Sequence, residues 1–372
     1  MDNQPVWELG GWQGLDRLEG VKQADVCVVG LGGSGLSAVL ELRRLGHRVV
    51  GVDAGSVARG AAGRNGGFML AGTAAFYHDA KASLGAERAR ALYELTREGL
   101  TAELAAAGPT ARRVGSLRIA ADAAELADCD AQYAAMREDG LPVERYMGPE
   151  GVGLLFPEDA VFNPLERCRR LARAASAAGA ELFERSPVTD LSARRVVTSN
   201  GAVECEAVVV AVDGRLTAVL PELAGEVRDV RLQMLATAPT DEIHLPRPVY
   251  RRYGFEYYQQ DPNGRLALGG FRDAGGEEEW TTDDRPSGRV QALLEAFLRE
   301  ELGVSAPITH RWAASVSYTA GVLPVARRVR AGVWAVGAYN GTGNVIGALL
   351  GRAAARRATG LESSVWDAFG ND

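Results

Sequence analysis

Residues 24–54, "ADVCVVGLGGSGLSAVLELRRLGHRVVGVDA", constrain the fold more than any other stretch of the chain. "ADVCVVG" is a short apolar run entering a glycine cluster, the form taken by a strand buried on both faces. "SGLSAVLELRRLG" carries Leu36, Val39, Leu40 and Leu42 at helical spacing and stops at Gly46, after which "HRVVGVDAG" returns to strand. Strand, glycine turn, helix and strand make a βαβ unit, with parallel strands and a right-handed crossover. A body that starts this way is committed to an α/β layer.

The turn of the unit reads G-x-G-x-x-G, filled by Gly30, Gly32 and Gly35. The first glycine allows the tight turn, the second lets the backbone approach a pyrophosphate, and the third permits close helix-to-strand packing. The helix N-terminus then faces the anion. Asp53 ends the second strand, where a carboxylate accepts hydrogen bonds from a ribose 2′-hydroxyl and disfavours a 2′-phosphate. With 45 glycines in the chain the pattern alone says little. The strand, helix, second strand and terminal acid around it make a dinucleotide site.

The chain then enters "AGSVARGAAGRNGGFM" instead of proceeding directly to further strands. The backbone of Asn65, Gly66 and Gly67 is expected to run beside the pyrophosphate and ring of a flavin, where side chains would clash. Taken by itself the segment reads equally well as a surface loop. Near the C-terminus "VWAVGAYNGTGNVIGALLGRAAARR" sets Gly341, Thr342 and Gly343 between an apolar strand and a helix, so that helix amides point out of the end of the sheet. A reduced flavin carries negative charge at N1 and O2 that such amides stabilise. FAD, rather than NAD, is the expected cofactor.

Between these ends, alanine-rich helices are expected at 73–107 and 122–139 and a further helix at 163–179, with a strand at "VGSLRIAA". Short strands follow from 181 to 214, and in a strand-rich block over 227–271 "EYYQQDPNGRLALGG" reads as a hairpin turning at "DPNG". The first 24 residues read as an arm packed on the body. The chain has 372 residues, 47% hydrophobic and 24% charged, the profile of a water-soluble chain of two domains. Its net charge of -7 argues against a nucleic-acid partner. Four cysteines without a C-x-x-C pair, and His47, His78, His244 and His310 without ligand spacing, give no metal site. No apolar run has the length of a membrane span and no leader is evident, so a cytoplasmic location is expected.

From "ADVCVVGLGGSG" through "GAAGRNGGF", "AVVVAVDG", "YYQQDPNGRLALGGFRDAGGEEEW" and "RWAASVSYTAGVLPVA" to "GVWAVGAYNGTGNVIGALLGRAAA", the chain resembles the D-amino acid oxidase, glycine oxidase and sarcosine oxidase superfamily of FAD-dependent oxidoreductases, in particular its gamma-glutamylputrescine oxidase-like branch. The resemblance covers nearly the whole chain. It implies an α/β plus α+β architecture. A discontinuous GR2-type Rossmann-like FAD-binding domain would span 1–80, 150–220 and 325–372, and an antiparallel-sheet substrate domain, 81–149 and 221–324, would roof the flavin. It also implies oxidation of a C–N bond by hydride transfer to flavin N5, hydrolysis of the imine, and reoxidation by O2 or another acceptor. On the family pattern Val188 touches the adenine through its backbone and Ala211, Val212 and Gly214 line the FAD. Gly33, Ser34, Ala54, Arg64, Gly337, Asn340 and Asn344 complete the implied cofactor set.

Three departures shape the expected substrate. Amino-acid-oxidising members place an arginine a few residues after the Trp-Ala pair, whereas "RWAASVSYTAGVLP" has Ser315, Val316 and Ser317 there and the loop after the last strand offers Asn340. A larger or carboxylate-poor amine is therefore expected. The family lysine over the flavin has no counterpart, since Lys22 and Lys81 lie elsewhere. No cysteine or histidine lies where the family attaches flavin covalently, so FAD is expected to be non-covalent. If "YRRYGFEYYQQ" is one strand, Arg252, Glu256 and Tyr258 share one face and Arg251, Tyr253, Phe255 and Tyr257 the other. Arg252, Tyr257, Tyr258 and Tyr339 are the pocket candidates, able to cage an amine or simply to form sheet core. No general base is identified. The alternatives are a flavin dehydrogenase of a hydroxy-acid or polyol C–O bond, and a FAD-binding partner protein with a degenerate site.

Overall fold

The computed structural model describes residues 3–370 and is built on two large sheets. Residues 1–2 and 371–372, the outer limits of the expected cofactor domain, lie outside the described residues. The six-stranded sheet runs Glu181–Phe183, Val49–Val52, Val26–Val29, Ala207–Val210, Val333–Gly337 and Val325–Arg330. Its first five strands are parallel and the last is the antiparallel hairpin partner of the fifth. Alternation divides its side chains between two cores. Val26, Val28, Val209 and Val336 pack against Leu36, Val39 and Leu42 of helix Gly33–Arg44 and against helices Pro164–Ala177 and Gly343–Ala358. Cys27, Val29, Val208 and Val210 face the other way, onto Val196 and Val203 of a four-stranded sheet. Helices Gly33–Arg44 and Gly343–Ala358 cross closely because a Cβ at Gly351 would overlap the Ser34 backbone.

The eight-stranded sheet runs Ile308–Thr319, Val227–Pro239, Arg265–Gly270, Glu256–Gln260, Val249–Arg251, Ser116–Ile119, Gly151–Phe156 and Glu144–Gly148. Neighbours are antiparallel except Val249–Arg251 with Ser116–Ile119. Helix Gly288–Ala296 covers one face through Val290 and Leu294 on Leu117, Leu235, Val249, Tyr258 and Leu268. The other face looks toward the ends of the parallel strands.

Three sequence expectations change in detail. The hairpin Glu144–Gly148 and Gly151–Phe156 straddles the boundary expected at 149/150, and both its strands belong to the eight-stranded sheet, because Gly151–Phe156 pairs with Ser116–Ile119. The helix expected at 73–107 is two helices, Tyr77–Leu84 and Ala86–Ala107, broken at Gly85 where φ is 84°. "YRRYGFEYYQQ" is not one strand: Arg252 and Tyr253 adopt φ of 51° and 55°, folding the chain into a tight turn between Val249–Arg251 and Glu256–Gln260. Among the described residues no helix is long and apolar enough to cross a membrane.

Candidate functional site

The carboxyl ends of the parallel strands carry the first glycine turn. Gly30 has φ of 100°, and a Cβ there would sit 2.6 Å from the Ala211 carbonyl, so the turn presses against the neighbouring strand's exit through Ala211 and Val212. Helix Gly33–Arg44 starts with no side-chain cap at Gly32, leaving its first amides for an anion. Asp53 fastens this turn: one carboxylate oxygen accepts the Leu31 amide at 2.7 Å and the other the Gly55 amide at 2.8 Å. Burial pushes the Asp53 carboxyl upward, and the two amides pull against it. Ala54 follows at the surface. The Asp53 carbonyl accepts the Ser186 amide at 2.7 Å, which brings Val188 to the same edge. The sequence reading missed Glu184, whose buried carboxylate gathers Val57 N at 2.7 Å, Trp12 Nε1 at 2.9 Å and Leu15 N at 3.0 Å. It ties the N-terminal arm to the segment after Asp53.

Asn65, Gly66 and Gly67 form a second backbone track. Asn65 Nδ2 donates to the carbonyls of Ala61 and Ala62 at 3.0 and 3.1 Å, and Asn65 Oδ1 accepts the Gly67 amide at 2.9 Å. Gly67 needs its φ of 73° and its missing side chain, since a Cβ would lie 2.7 Å from Gln259 Nε2. Trp7 Nε1 donates to the Asn65 carbonyl at 2.8 Å, so the arm clamps this loop. The Arg64 side chain is held by protein carbonyls. Its guanidinium donates to the carbonyls of Ala313 at 2.6 Å and Asn3 at 2.7 Å, joining the loop to the eight-stranded sheet and the arm. Burial without a paired carboxylate brings its pKa down to about 10.

A third track is the start of helix Gly343–Ala358, again without a side-chain cap. Asn344 and Asn65 exchange reciprocal amide hydrogen bonds, both 3.1 Å, and Asn344 Nδ2 also reaches the Phe68 carbonyl at 2.7 Å. Asn340 receives the Thr319 amide at 2.9 Å and donates to the Gly321 carbonyl at 3.0 Å, holding the sheet's last loop over Gly341 and Thr342. Gly337 and Gly214 leave room for the Val212 carbonyl and the Ser315 backbone. Tyr339 is not a pocket residue. It is buried in the core, and its hydroxyl donates to Ser34 Oγ at 2.7 Å, bracing the first glycine turn against the last helix.

A cavity of about 610 Å³ lies between Gly66, Asn340 and Gly341 on one side and the eight-stranded sheet on the other. Tyr257 lines it, lying against Gly66 and edge-on to Phe68 at 6.3 Å. Tyr258, the next residue, necessarily points through the sheet and packs on Phe297 at 5.9 Å, away from the cavity. Arg252 is also outside it, ion-paired to Asp273 at 2.6 Å and Glu256 at 2.7 Å because the turn swings it outward. The sequence reading missed Tyr250, Tyr318 and two cavity arginines. Arg272 stacks 4.7 Å from both the Phe255 and Tyr318 rings, and Arg118 lies 4.2 Å over Phe76. Arg64, Arg118 and Arg272 are the arginines among the residues lining this cavity, and none of them lies in the segment after the Trp-Ala pair. A lone charge inside the apolar run "SLRIA" was the available signal for Arg118.

The tracks fit a dinucleotide joined to a flat ring: uncapped helix starts for the phosphates, and bare glycine backbone where a Cβ would collide. Residues 25–357 match the family model described as FAD dependent oxidoreductase, DAO. The chain belongs to this family. Among DAO relatives, the probable oxidoreductase OrdL of Rhizobium meliloti (strain 1021) is 27% identical over 94% of this chain and 86% of its own. Gamma-glutamylputrescine oxidoreductase of Escherichia coli (strain K12) is 27% identical over 96% and 88%. The crystal structure of glycine oxidase from Geobacillus kaustophilus superposes with a TM-score of 0.75 at 21% identity, covering 92% of this chain and 96% of that one. The Rossmann-like FAD layer with a second, substrate-side sheet is thus the DAO fold, and the protein is a DAO-family FAD-dependent oxidoreductase.

Proposed function

We propose that this oxidoreductase oxidises the C–N bond of an amine or amino-acid derivative, using FAD held without a covalent link. The observation that carries the reading is the convergence on one cavity of the Gly66 track, the Gly341–Gly343 helix start and the Tyr257–Arg272 wall. The names of the relatives, a gamma-glutamylputrescine oxidoreductase and a glycine oxidase, point to the same bond class. No histidine or cysteine is among the residues lining the cavity, which supports dissociable FAD.

Gly32 to Gly35 would receive the pyrophosphate, Asp53 the adenosine ribose, Asn65 to Gly67 the inner edge of the ring system, and the amides from Thr342 to Asn344 its electron-rich end. FAD bound there supplies the two-electron acceptor for the hydride leaving carbon. The chain's own contribution is placement. Tyr250, Tyr257 and Phe68 exclude water and pack the substrate's carbon chain, and Arg272 offers a forked donor to a substrate carboxylate. A neutral amine needs no proton removed by a side chain before hydride loss, so the missing general base is no obstacle.

Anaerobic mixing of the purified yellow protein with amines, amino acids and hydroxy acids tests this. Bleaching by a nitrogen compound is expected. Bleaching by hydroxy acids alone would transfer the reading to C–O oxidation. Readmitted air restores the colour if O2 is the acceptor. After acid precipitation the colour should stay in the supernatant, and a yellow pellet would overturn the non-covalent assignment.

A further inference from the structure

Arg118 is charged, enclosed and almost without protein partners. Its Nη1 donates to Gln132 Oε1 at 2.9 Å, and its guanidinium lies between the rings of Phe76 at 4.2 Å and Phe156 at 6.0 Å. Among the described residues no carboxylate stands within ion-pairing distance, and the two acids nearest in field are engaged elsewhere. Glu125 accepts the amides of Ala121 at 2.8 Å, Arg252 at 3.0 Å and Tyr253 at 2.6 Å. Asp159 accepts Ser116 Oγ at 2.6 Å and the Ala71 amide at 3.1 Å. The protein treats its other enclosed arginines differently. Arg167 pairs with Glu103, Arg231 meets Glu279 at 2.9 Å, and Arg64 is capped by carbonyls. An enclosed cation without an anion is costly, and burial depresses the Arg118 pKa accordingly.

Its position relative to the flavin-side residues is set by strand register. Met234, Gly269, Tyr257, Tyr250 and Arg118 are successive Cα partners across five adjacent strands. In-register neighbours share a face, and Met234, Tyr257, Tyr250 and Arg118 all line the cavity. Gly269 leaves the space in which the Tyr257 ring lies down. Two strand spacings of about 4.8 Å place the Arg118 backbone roughly 10 Å from that of Tyr257. The hydroxyls of Tyr93 and Tyr250 also line this end and have no protein hydrogen-bond partner among the described residues.

We propose that Arg118, with the Tyr93 and Tyr250 hydroxyls, forms a second subsite at the end of the cavity remote from the Gly66 track, and that it binds the carboxylate tail of an elongated amine substrate. The proposal rests on the C–N reading above and extends it: the reacting amine lies at Tyr257, and a spacer of several carbons carries an acid to Arg118. A planar guanidinium fork suits a carboxylate, and its weak hydration suits an enclosed site. The expected substrate is an ω-amino acid rather than a diamine.

Calorimetry under anaerobic conditions on the FAD-loaded enzyme provides the test. The probes are gamma-aminobutyrate, delta-aminovalerate and epsilon-aminocaproate, each against the alkylamine of the same chain length. At one length the acid should bind about 10- to 100-fold tighter than the alkylamine, the worth of hydrogen bonds to a charged group. Arg118→Gln should abolish that ratio, and where turnover occurs the loss should fall on KM rather than kcat. Should Arg118→Gln fail to fold, Arg118→Lys retains the charge, loses the fork, and should still reduce the ratio severalfold. A ratio near one in the wild type, or one unchanged by both Arg118 variants, overturns the subsite. Arg118-dependent binding of the acids with no bleaching by any nitrogen compound leaves the subsite standing and sinks the C–N reading instead.

Discussion

At the scale of single residues, adjacent tyrosines have opposite fates because alternation sends them to opposite faces of one sheet. Tyr257→Ala should raise KM or abolish turnover with modest loss of stability. Tyr258→Ala should lower stability by about 3 kcal/mol and leave KM unchanged, as measured by urea unfolding alongside steady-state kinetics. Asp159 gives a pH prediction. Burial raises its carboxyl to about 7, the Arg118 charge opposes the rise and Glu158 adds to it. The folded protein therefore holds a proton that the unfolded chain releases near the ordinary carboxylate range. Stability from this group is intact at low pH, declines as pH rises toward about 7, and is flat above. Asp159→Asn should remove that decline, a few kcal/mol in all, in denaturant titrations at stepped pH. Residue-level legibility was uneven. Gly30, Gly35 and Gly67 were readable because a close backbone approach excludes every other residue type. Tyr339 and Arg252 were misplaced because nothing local in a sequence reports a hydrogen bond to Ser34, 305 positions away, or a left-handed Arg-Tyr pair.

Among elements, the two asparagines hold together a loop and a helix start from opposite ends of the chain. Asn65→Ala and Asn344→Ala should each weaken FAD binding about tenfold, from one to two lost hydrogen bonds. Because they share one amide pair, the double variant should cost less than the sum, which fluorescence titration of a double-mutant cycle would show. An additive result would mean that the asparagines act independently. The elements themselves were largely legible. Buried parallel strands announce themselves as unbroken valine runs, and the "DPNG" hairpin follows from turn chemistry, with Asp261 accepting the Asn263 amide at 2.8 Å. The kink after Arg251 and the break at Gly85 were not, since helix and strand periodicities both tolerate one residue of a different conformation. Strand pairing was the largest hidden quantity. The register that brings Arg118 beside Tyr250 joins segments 132 positions apart.

For the whole molecule, a ligand gripped by the folded chain alone must stabilise it. Excess FAD should raise the melting temperature of the apoprotein, with about 2.7 kcal/mol gained at a hundredfold excess over Kd. A melting temperature indifferent to added FAD would contradict the assignment of the three backbone tracks. The strand next to the first βαβ unit's opening strand comes from Ala207–Val210, and the next from Val333–Gly337. This sheet therefore pairs its earliest strand with partners that a ribosome delivers much later. Long-range pairings of this kind are slow to form and leave valine-rich edges open while they wait. Since Gly341 to Asn344 follow Gly30 by roughly 310 positions, the nascent chain has no complete set of the three backbone tracks until long after its first strand is made. Over that interval the growing chain depends on its helices, not on a bound cofactor, to keep those strand edges from pairing with another copy.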